Sequence, residues 1–267
     1  MTPSTPKSCV LLASNAPVAV ILYRKSHLTT YCLHLDYGQQ HKRHVFKLTK
    51  GSRFYGRLFP HRCHLSPDGS LLVYFAMRGR KTGDASEPAT WTAVCTPPWL
   101  KAHLFFPNGT TWGGGGMFLA DRRLIVFEAA ATGTGRESRQ FRGYEIIHDM
   151  KALPEKDLPL VKARLKPPPE TRLPWPAKPD RITSPVLVRT AKSNTPDNYD
   201  HFSYSLLDGS GRNVDGAEEI VLANWAGWDA FGRLMMATGK DLKIFELRHG
   251  KFAGKPIKTL DLEAAIA

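Results

Sequence analysis

The sequence Ser66-Pro67-Asp68-Gly69-Ser70-Leu71-Leu72-Val73-Tyr74-Phe75 joins a turn to a short apolar run, and the combination recurs along the chain. Similar stretches are Ala120-Asp121-Arg122-Arg123-Leu124 and Asp229-Ala230-Phe231-Gly232-Arg233-Leu234. Gly69 and Arg122 are 53 residues apart, and Arg122 and Gly232 are 110 residues apart, close to twice that spacing. A fixed spacing in this range is typical of a repeat architecture.

Five repeat units account for the length of the chain. A weaker copy of the motif precedes Gly69 by 52 residues, and Ser184-Pro185-Val186-Leu187-Val188 is the candidate for the missing copy. The units are residues 9–48, 53–106, 112–148, 183–223 and 225–262, each predicted as antiparallel strands, with a proline-rich excursion at 149–182. Because one such sheet leaves both faces apolar, we expect the units to stack around an axis. The sequence therefore predicts a single-domain, all-β, five-bladed β-propeller of four-stranded antiparallel blades.

Four segments carry more specific expectations. Residues 61–65 and 219–223 are predicted as strands, and residues 149–182 as an extended polyproline segment anchored by Leu173 and Trp175. The last apolar run, residues 257–262, is predicted to pair with the N-terminal unit near residues 10–13 or 18–22 and so to close the ring.

Two motifs carry a resemblance to known proteins. The stretch from Leu65 to Tyr74 resembles the Ser-Pro-Asp-Gly blade motif of TolB-like and WD40-like propellers, and Trp228-Asp229 with Phe231-Gly232-Arg233-Leu234 looks like a degenerate copy. The whole chain also resembles a group of stand-alone bacterial propeller proteins, through Thr111-Trp112-Gly113-Gly114-Gly115-Gly116 and Trp225-x-x-Trp228-Asp229. The resemblance implies the architecture and says almost nothing about chemistry, because function resides in sites grafted on a fold.

Composition indicates a globular protein with a basic surface. The chain has 267 residues, of which 37 are basic and 24 acidic, for a formal charge of +13. The favoured interpretation of this charge is a soluble surface with a basic bias, because the basic residues are scattered and form no Lys/Arg block. The alternative is an acidic partner, namely nucleic acid, an anionic membrane or an acidic protein, and among these we prefer a protein. We expect a monomer in the cytoplasm with reduced thiols, because the four cysteines show no Cys-x-x-Cys spacing and no run reaches the ~20 apolar residues of a membrane span.

The segment His61-Arg62-Cys63-His64 is a weak candidate for a metal site. In a strand, His61 and Cys63 would share one face and offer two soft ligands. Zinc needs three or four ligands, and no spacing signature supplies the others. We therefore favour a structural role for these residues and predict no metal and no cofactor.

The run Gly113-Gly114-Gly115-Gly116 has two interpretations. A phosphate-binding loop would require a helix directly after the glycines, whereas Met117-Phe118-Leu119 is strand-like. Close approach of the backbone to a neighbour is the favoured interpretation. Trp112 beside the glycines is expected to cover the channel mouth, where the glycines would leave room for a ligand or peptide.

Carboxylates at the repeat turns offer an alternative function. Asp68, Asp121 and Asp229 are candidates for the acid pair of a glycoside-type hydrolase working near the propeller axis, and Asn198-Tyr199-Asp200-His201 adds a second polar cluster. Aspartates in turns also serve to bind backbone amides. No serine-nucleophile elbow or Walker loop is present in the sequence.

The preferred function is a non-enzymatic protein-binding module. Its working face is predicted to carry the glycine run and two tryptophans, with basic residues nearby that favour an acidic partner. The residues concerned are Lys101, Trp112, Gly113, Gly114, Gly115, Gly116, Arg122, Arg123, Trp228 and Asp229. The competing interpretation is that both indoles are buried between blades.

Overall fold

The computed structural model describes residues 6–40, 43–78, 89–127, 139–148, 153–176, 184–192, 202–248, 251–252 and 254–267. Contacts divide the chain into two compact units. The N-terminal unit comprises Leu11–Leu22 and Ser26–Lys166, and the C-terminal unit comprises Met1–Val10, Tyr23–Lys25 and Pro167–Ala267. The expectation of one domain stays a prediction.

The first fourteen strands and the one α-helix of the described chain lie before Pro167. They are β1 (Lys7–Leu12), β2 (Val18–Ser26), β3 (Thr29–Asp36), β4 (Gln39–Gln40), β5 (Arg43–His44), β6 (Lys47–Leu58), β7 (His64–Leu65), β8 (Leu72–Arg78), β9 (Thr90–Cys95), β10 (Ala102–Pro107), β11 (Gly116–Phe118), β12 (Arg123–Val126), β13 (Arg139–Phe141), β14 (Tyr144–Ile147) and α1 (Leu158–Leu165). Short 3-10 helices occupy Pro60–Arg62 and Glu155–Asp157.

A single long strand joins the first two predicted blades. The sheet runs in the order β1-β2-β3-β6-β8-β9-β10, with β7 also paired to β8. Residues 47–55 of β6 pair with β3, and Gly56, Arg57 and Leu58 pair with β8. The predicted boundary between residues 48 and 53 is therefore wrong, because the hydrogen-bonded backbone continues through it.

The third predicted blade forms a sheet of order β11-β12-β14-β13. Its pairs are antiparallel except β12 with β14, which is parallel, so the prediction of purely antiparallel blades is wrong here. The 17 residues between β12 and β14 are long enough for the crossover that parallel strands need. Phe118, Leu124 and Ile146 from this sheet are buried against Val73 and Val94.

The C-terminal unit contains nine further strands. They are β15 (Glu170–Pro174), β16 (Val186–Ala191), β17 (Phe202–Leu207), β18 (Trp225–Trp228), β19 (Leu234–Thr238), β20 (Asp241–Phe245), β21 (Leu247–Arg248), β22 (Lys251–Phe252) and β23 (Lys258–Asp261). They form antiparallel sheets of order β15-β16-β17 and β18-β19-β20-β23, and a small pair of β21 and β22. The 3-10 helices Glu218–Leu222 and Ala264–Ile266 complete the unit.

The three residues that align the repeat share one backbone conformation. Gly69, Arg122 and Gly232 have φ values of 76°, 61° and 73°. Each is the left-handed residue of a tight turn, the conformation that ends a three-residue hairpin loop. The turn component of the repeat is therefore confirmed at these three positions.

Three predicted segments differ from the structure. Residues 60–62 and 218–222 form 3-10 helices instead of strands. The proline-rich excursion contains α1 and the edge strand β15, whose proline stands at its last residue, the place where a sheet tolerates proline. Trp175 does anchor this segment, since it is buried in the core of the C-terminal unit.

The last strand does not pair where we expected. Leu260 of β23 is opposite Leu242 of β20, and no pairing of β23 with β1 or β2 occurs among the described residues. The partner of β23 is instead β20, a neighbour in sequence. The molecule is thus mostly β with several antiparallel sheets of three or four strands, as predicted at the coarse level.

Candidate functional site

The most exposed large apolar side chain of the described residues is Trp112, with 91% of its surface accessible. It lies in the connection between β10 and β11, residues 108–115, which we call the tryptophan loop. Exposing an indole to water costs free energy, so the position of Trp112 needs a physical explanation.

Arg62 holds the backbone on both sides of this tryptophan. Its Nη1 donates to the carbonyl oxygens of Thr111, at 2.8 Å, and Gly113, at 2.7 Å. The guanidinium carbon also lies 5.3 Å from the centre of the Phe75 ring, within cation–π range. Burial lowers the pKa of Arg62.

The ends of the tryptophan loop are tied to one hydroxyl. The Thr92 hydroxyl donates to Oδ1 of Asn108, at 3.0 Å, and accepts the amide hydrogen of Gly115, at 2.7 Å. Thr90 adds a bond from its hydroxyl to the carbonyl of Thr110. The loop is therefore fixed at its base, its middle and its end while the indole points away from the core.

The glycine run permits close packing beneath the loop. A Cβ at Gly114, where φ is 99°, would lie 2.1 Å from Cε2 of Phe75. A Cβ at Gly115 would lie 2.4 Å from the Arg62 carbonyl oxygen. The close-approach interpretation is confirmed for these glycines, and strand β11 follows them as predicted. The space they leave is filled by protein atoms.

Trp228 and Asp229 have structural contacts. Trp228 is half-buried against the core of the C-terminal unit, and its Nε1 donates to the Leu173 carbonyl at 2.8 Å. Asp229 is buried and accepts the amide hydrogens of Phe231 and Arg233. The indole nitrogen of Trp228 is thus already bonded within the protein. The binding surface that we expected to include both tryptophans stays a prediction, and Trp112 is its exposed member.

The three predicted basic residues have separate environments. Lys101 is exposed directly before β10. Arg122 lies in the turn after β11, at the opposite end of that strand from Trp112. Arg123 is ion-paired with Asp121 and, at 2.6 Å, with Asp157, so its charge is already matched within the chain.

The carboxylates of the repeat turns are engaged in local hydrogen bonds. Oδ1 of Asp68 accepts from the Ser66 hydroxyl at 2.6 Å and from the Ser70 amide at 3.0 Å. Burial opposes ionisation of Asp68, but these hydrogen bonds outweigh it and hold its pKa below the usual value. Asp121 is ion-paired with Arg123, and Asp229 with Arg233. The cluster Asn198-Tyr199-Asp200-His201 lies outside the described residues.

His61 and Cys63 do not share a strand face, since His61 lies in the 3-10 helix Pro60–Arg62 and Cys63 is the residue that caps its end. The buried Cys63 thiol donates to the Phe59 carbonyl at 3.3 Å, and burial raises its pKa to about 12. No three His, Cys, Asp or Glu side chains are grouped to hold a metal ion in the described part of the chain. The structural role that we favoured for these residues stays a prediction.

Arg62 is the residue that sequence reasoning missed. It was considered only as the spacer between two metal candidates, and its spacing of 49 and 51 residues from its acceptors gives no local signal.

Among the described residues, no helix has the length and apolarity to cross a membrane. Comparisons with protein-family models, curated proteins and solved structures found no match to this chain.

Proposed function

We propose that this protein is a non-enzymatic binding module that presents the tryptophan loop to an acidic protein partner. The observation that carries the proposal is the 91% exposure of Trp112 on a backbone that Arg62 holds at both flanking carbonyls. A preorganised loop loses little conformational entropy on binding. Tryptophan is also over-represented among the residues that dominate protein–protein binding energy.

The distribution of charge supports an acidic partner. The segments of the N-terminal unit contain 21 of the 37 basic residues and 11 of the 24 acidic residues. The unit that carries Trp112 therefore holds most of the positive excess. Such an excess attracts an acidic partner over long range and raises the association rate at low salt.

The contacts of the carboxylates favour a binding module over a hydrolase. Asp68, Asp121 and Asp229 are each bonded within their own turns. A general acid or base must reach the reacting atoms of a substrate. Free thiols at all four cysteines support a reducing, cytoplasmic setting.

We infer further that the sheets are the blades of a propeller. The recurring left-handed turn residues and the four-stranded meander β18-β19-β20-β23 support this arrangement. A crystal structure with the sheets arranged radially is the expected result, and sheets packed as a sandwich would contradict it.

The binding proposal is tested with a partner captured on the immobilised wild-type chain and then purified. Trp112→Ala is expected to weaken its affinity by about 2 kcal/mol, roughly 30-fold, with the melting temperature unchanged. Trp99→Ala is the matched control, because Trp99 is also an exposed tryptophan of the same unit. Equal affinity of the Trp112 variant and the wild type would contradict the proposal.

A further inference from the structure

The C-terminal unit contains a cavity that none of the preceding roles explains. Its volume is about 160 Å³, and it lies between the 3-10 helix Glu218–Leu222, strands β19 and β20, and Phe252. Its apolar walls include Ile220, Leu234 and Met236. All of its lining residues belong to the C-terminal unit.

The interior suits a single aromatic ring. Apolar protein cavities of about 150 Å³ lined by aliphatic and aromatic side chains bind benzene. Phe245 and Phe252 line this cavity with their ring centres 4.9 Å apart and tilted by 36°. The Met236 thioether adds a polarisable group that contacts aromatic rings favourably.

An ion pair, which we call the rim pair, borders the cavity. Lys243 Nζ lies 2.6 Å from Oε2 of Glu219, and both residues line the cavity. The lysine side chain is 22% exposed, whereas the glutamate side chain is 58% exposed. The lysine ammonium is thus the more enclosed member of the pair. The Glu219 carboxylate is the member that water can solvate when the pair separates.

Another carboxylate can take the place of Glu219 at Lys243. Such an exchange leaves the ammonium paired and returns Glu219 to water, so no buried charge loses its partner.

We propose that this cavity binds a small monocyclic aromatic acid, with the ring among Met236, Phe245 and Phe252 and the carboxylate on Lys243. The site is separate from the tryptophan loop, so the proposal does not depend on the binding-module function. The chemistry that defines the ligand is one apolar ring one or two bonds away from one carboxylate.

The experiment compares phenylacetate with phenylacetamide, which has the same ring and no charge, in heteronuclear NMR titrations of the full chain. The wild type is expected to bind phenylacetate about fivefold more tightly than the amide. Lys243→Met should abolish this preference and retain binding of the amide. Glu219→Gln should strengthen phenylacetate binding, because it removes the competing carboxylate.

Two further variants serve as controls. Ala217→Leu fills the cavity and should abolish binding of both compounds. Lys240→Met removes an exposed lysine of the same unit, paired with Asp261 at 3.7 Å, and should leave both affinities unchanged. The proposal is overturned if the wild type binds neither compound, if it binds both equally, or if Glu219→Gln weakens phenylacetate binding. Should Ala217→Leu fail to fold, the two rim variants decide the outcome alone.

Discussion

The Nε of Arg233 lies 2.6 Å from Oδ2 of Asp229, and both side chains are almost completely buried. The same turn occurs at Asp208 and Arg212, where the two residues are again four apart but exposed and 3.7 Å from each other. The chain thus contains the same Asp–Arg pair twice, once buried and once exposed. Comparing the two separates the effect of burial on stability from the effect of the turn sequence.

We predict that Arg233→Met lowers the free energy of unfolding by about 3 to 5 kcal/mol, since it leaves the Asp229 carboxylate buried without its partner. Arg212→Met is the matched control and should not change the melting temperature measurably, because exposed pairs contribute little. Urea denaturation of both variants measures the difference. Equal effects of the two substitutions would contradict the role assigned to burial.

Gly114→Ala is expected to destabilise the protein by about 3 kcal/mol or more, because the new Cβ would overlap the Phe75 ring. The control is Gly109→Ala, at φ 71° with no atom within 4 Å of the added carbon. It should cost only the backbone strain, about 1 kcal/mol. Thermal denaturation distinguishes steric overlap from strain, and similar losses in both variants would refute the packing argument.

Half-buried His64 makes stability depend on pH. Burial, with a further effect from Arg164, lowers its pKa to about 3, and its Nδ1 accepts the Phe118 amide hydrogen at 3.3 Å. The unfolded chain binds a proton near pH 6.5 while the folded chain does not. Stability should therefore fall as pH drops, by about 2 kcal/mol between pH 6.5 and 5.

His64→Asn should flatten this part of the pH profile, because the asparagine Oδ1 accepts the same amide hydrogen and does not titrate in this range. His34→Asn is the control, since burial lowers the pKa of that histidine as well. It should leave the contribution of His64 in place. A His64→Asn profile as steep as the wild-type profile would show that the histidine is not responsible.

Arg62→Met should release the tryptophan loop without removing Trp112. We expect chymotrypsin to cleave after Trp112 at least about fivefold faster than in the wild type, since local opening exposes the backbone to the protease. Mass spectrometry of the fragments identifies the site. Arg57→Met provides a comparison on the neighbouring strand β6. An unchanged cleavage rate in the Arg62 variant would exclude the proposed clamp.

The turns were predictable because their chemistry is local. An Asp or Ser followed by a glycine three residues later specifies the turn without help from the rest of the chain, as Ser66 and Gly69 show. The turn at Asp208-Gly209-Ser210-Gly211-Arg212 has the same signal and was overlooked because it falls outside the repeat spacing. The strands of the predicted units depend on an equally local signal, as the alternation of buried and half-buried residues along β17 shows.

The elements that sequence reasoning missed depend on distant packing. Glu219 to Ala223 has strand-forming residues, yet Ile220 packs into the core from a 3-10 helix. The Arg62 clamp joins residues about 50 positions apart. No pattern of local periodicity contains such information.

Strand β6 has a consequence for how this sequence can change. One strand serves β3 along residues 47–55 and β8 along Gly56–Leu58. Inserting one residue near position 51 would turn every following side chain of the strand to the opposite face. The two halves of this sheet therefore keep one fixed register, and the repeat that is visible in the sequence cannot be excised, duplicated or exchanged at its own boundary.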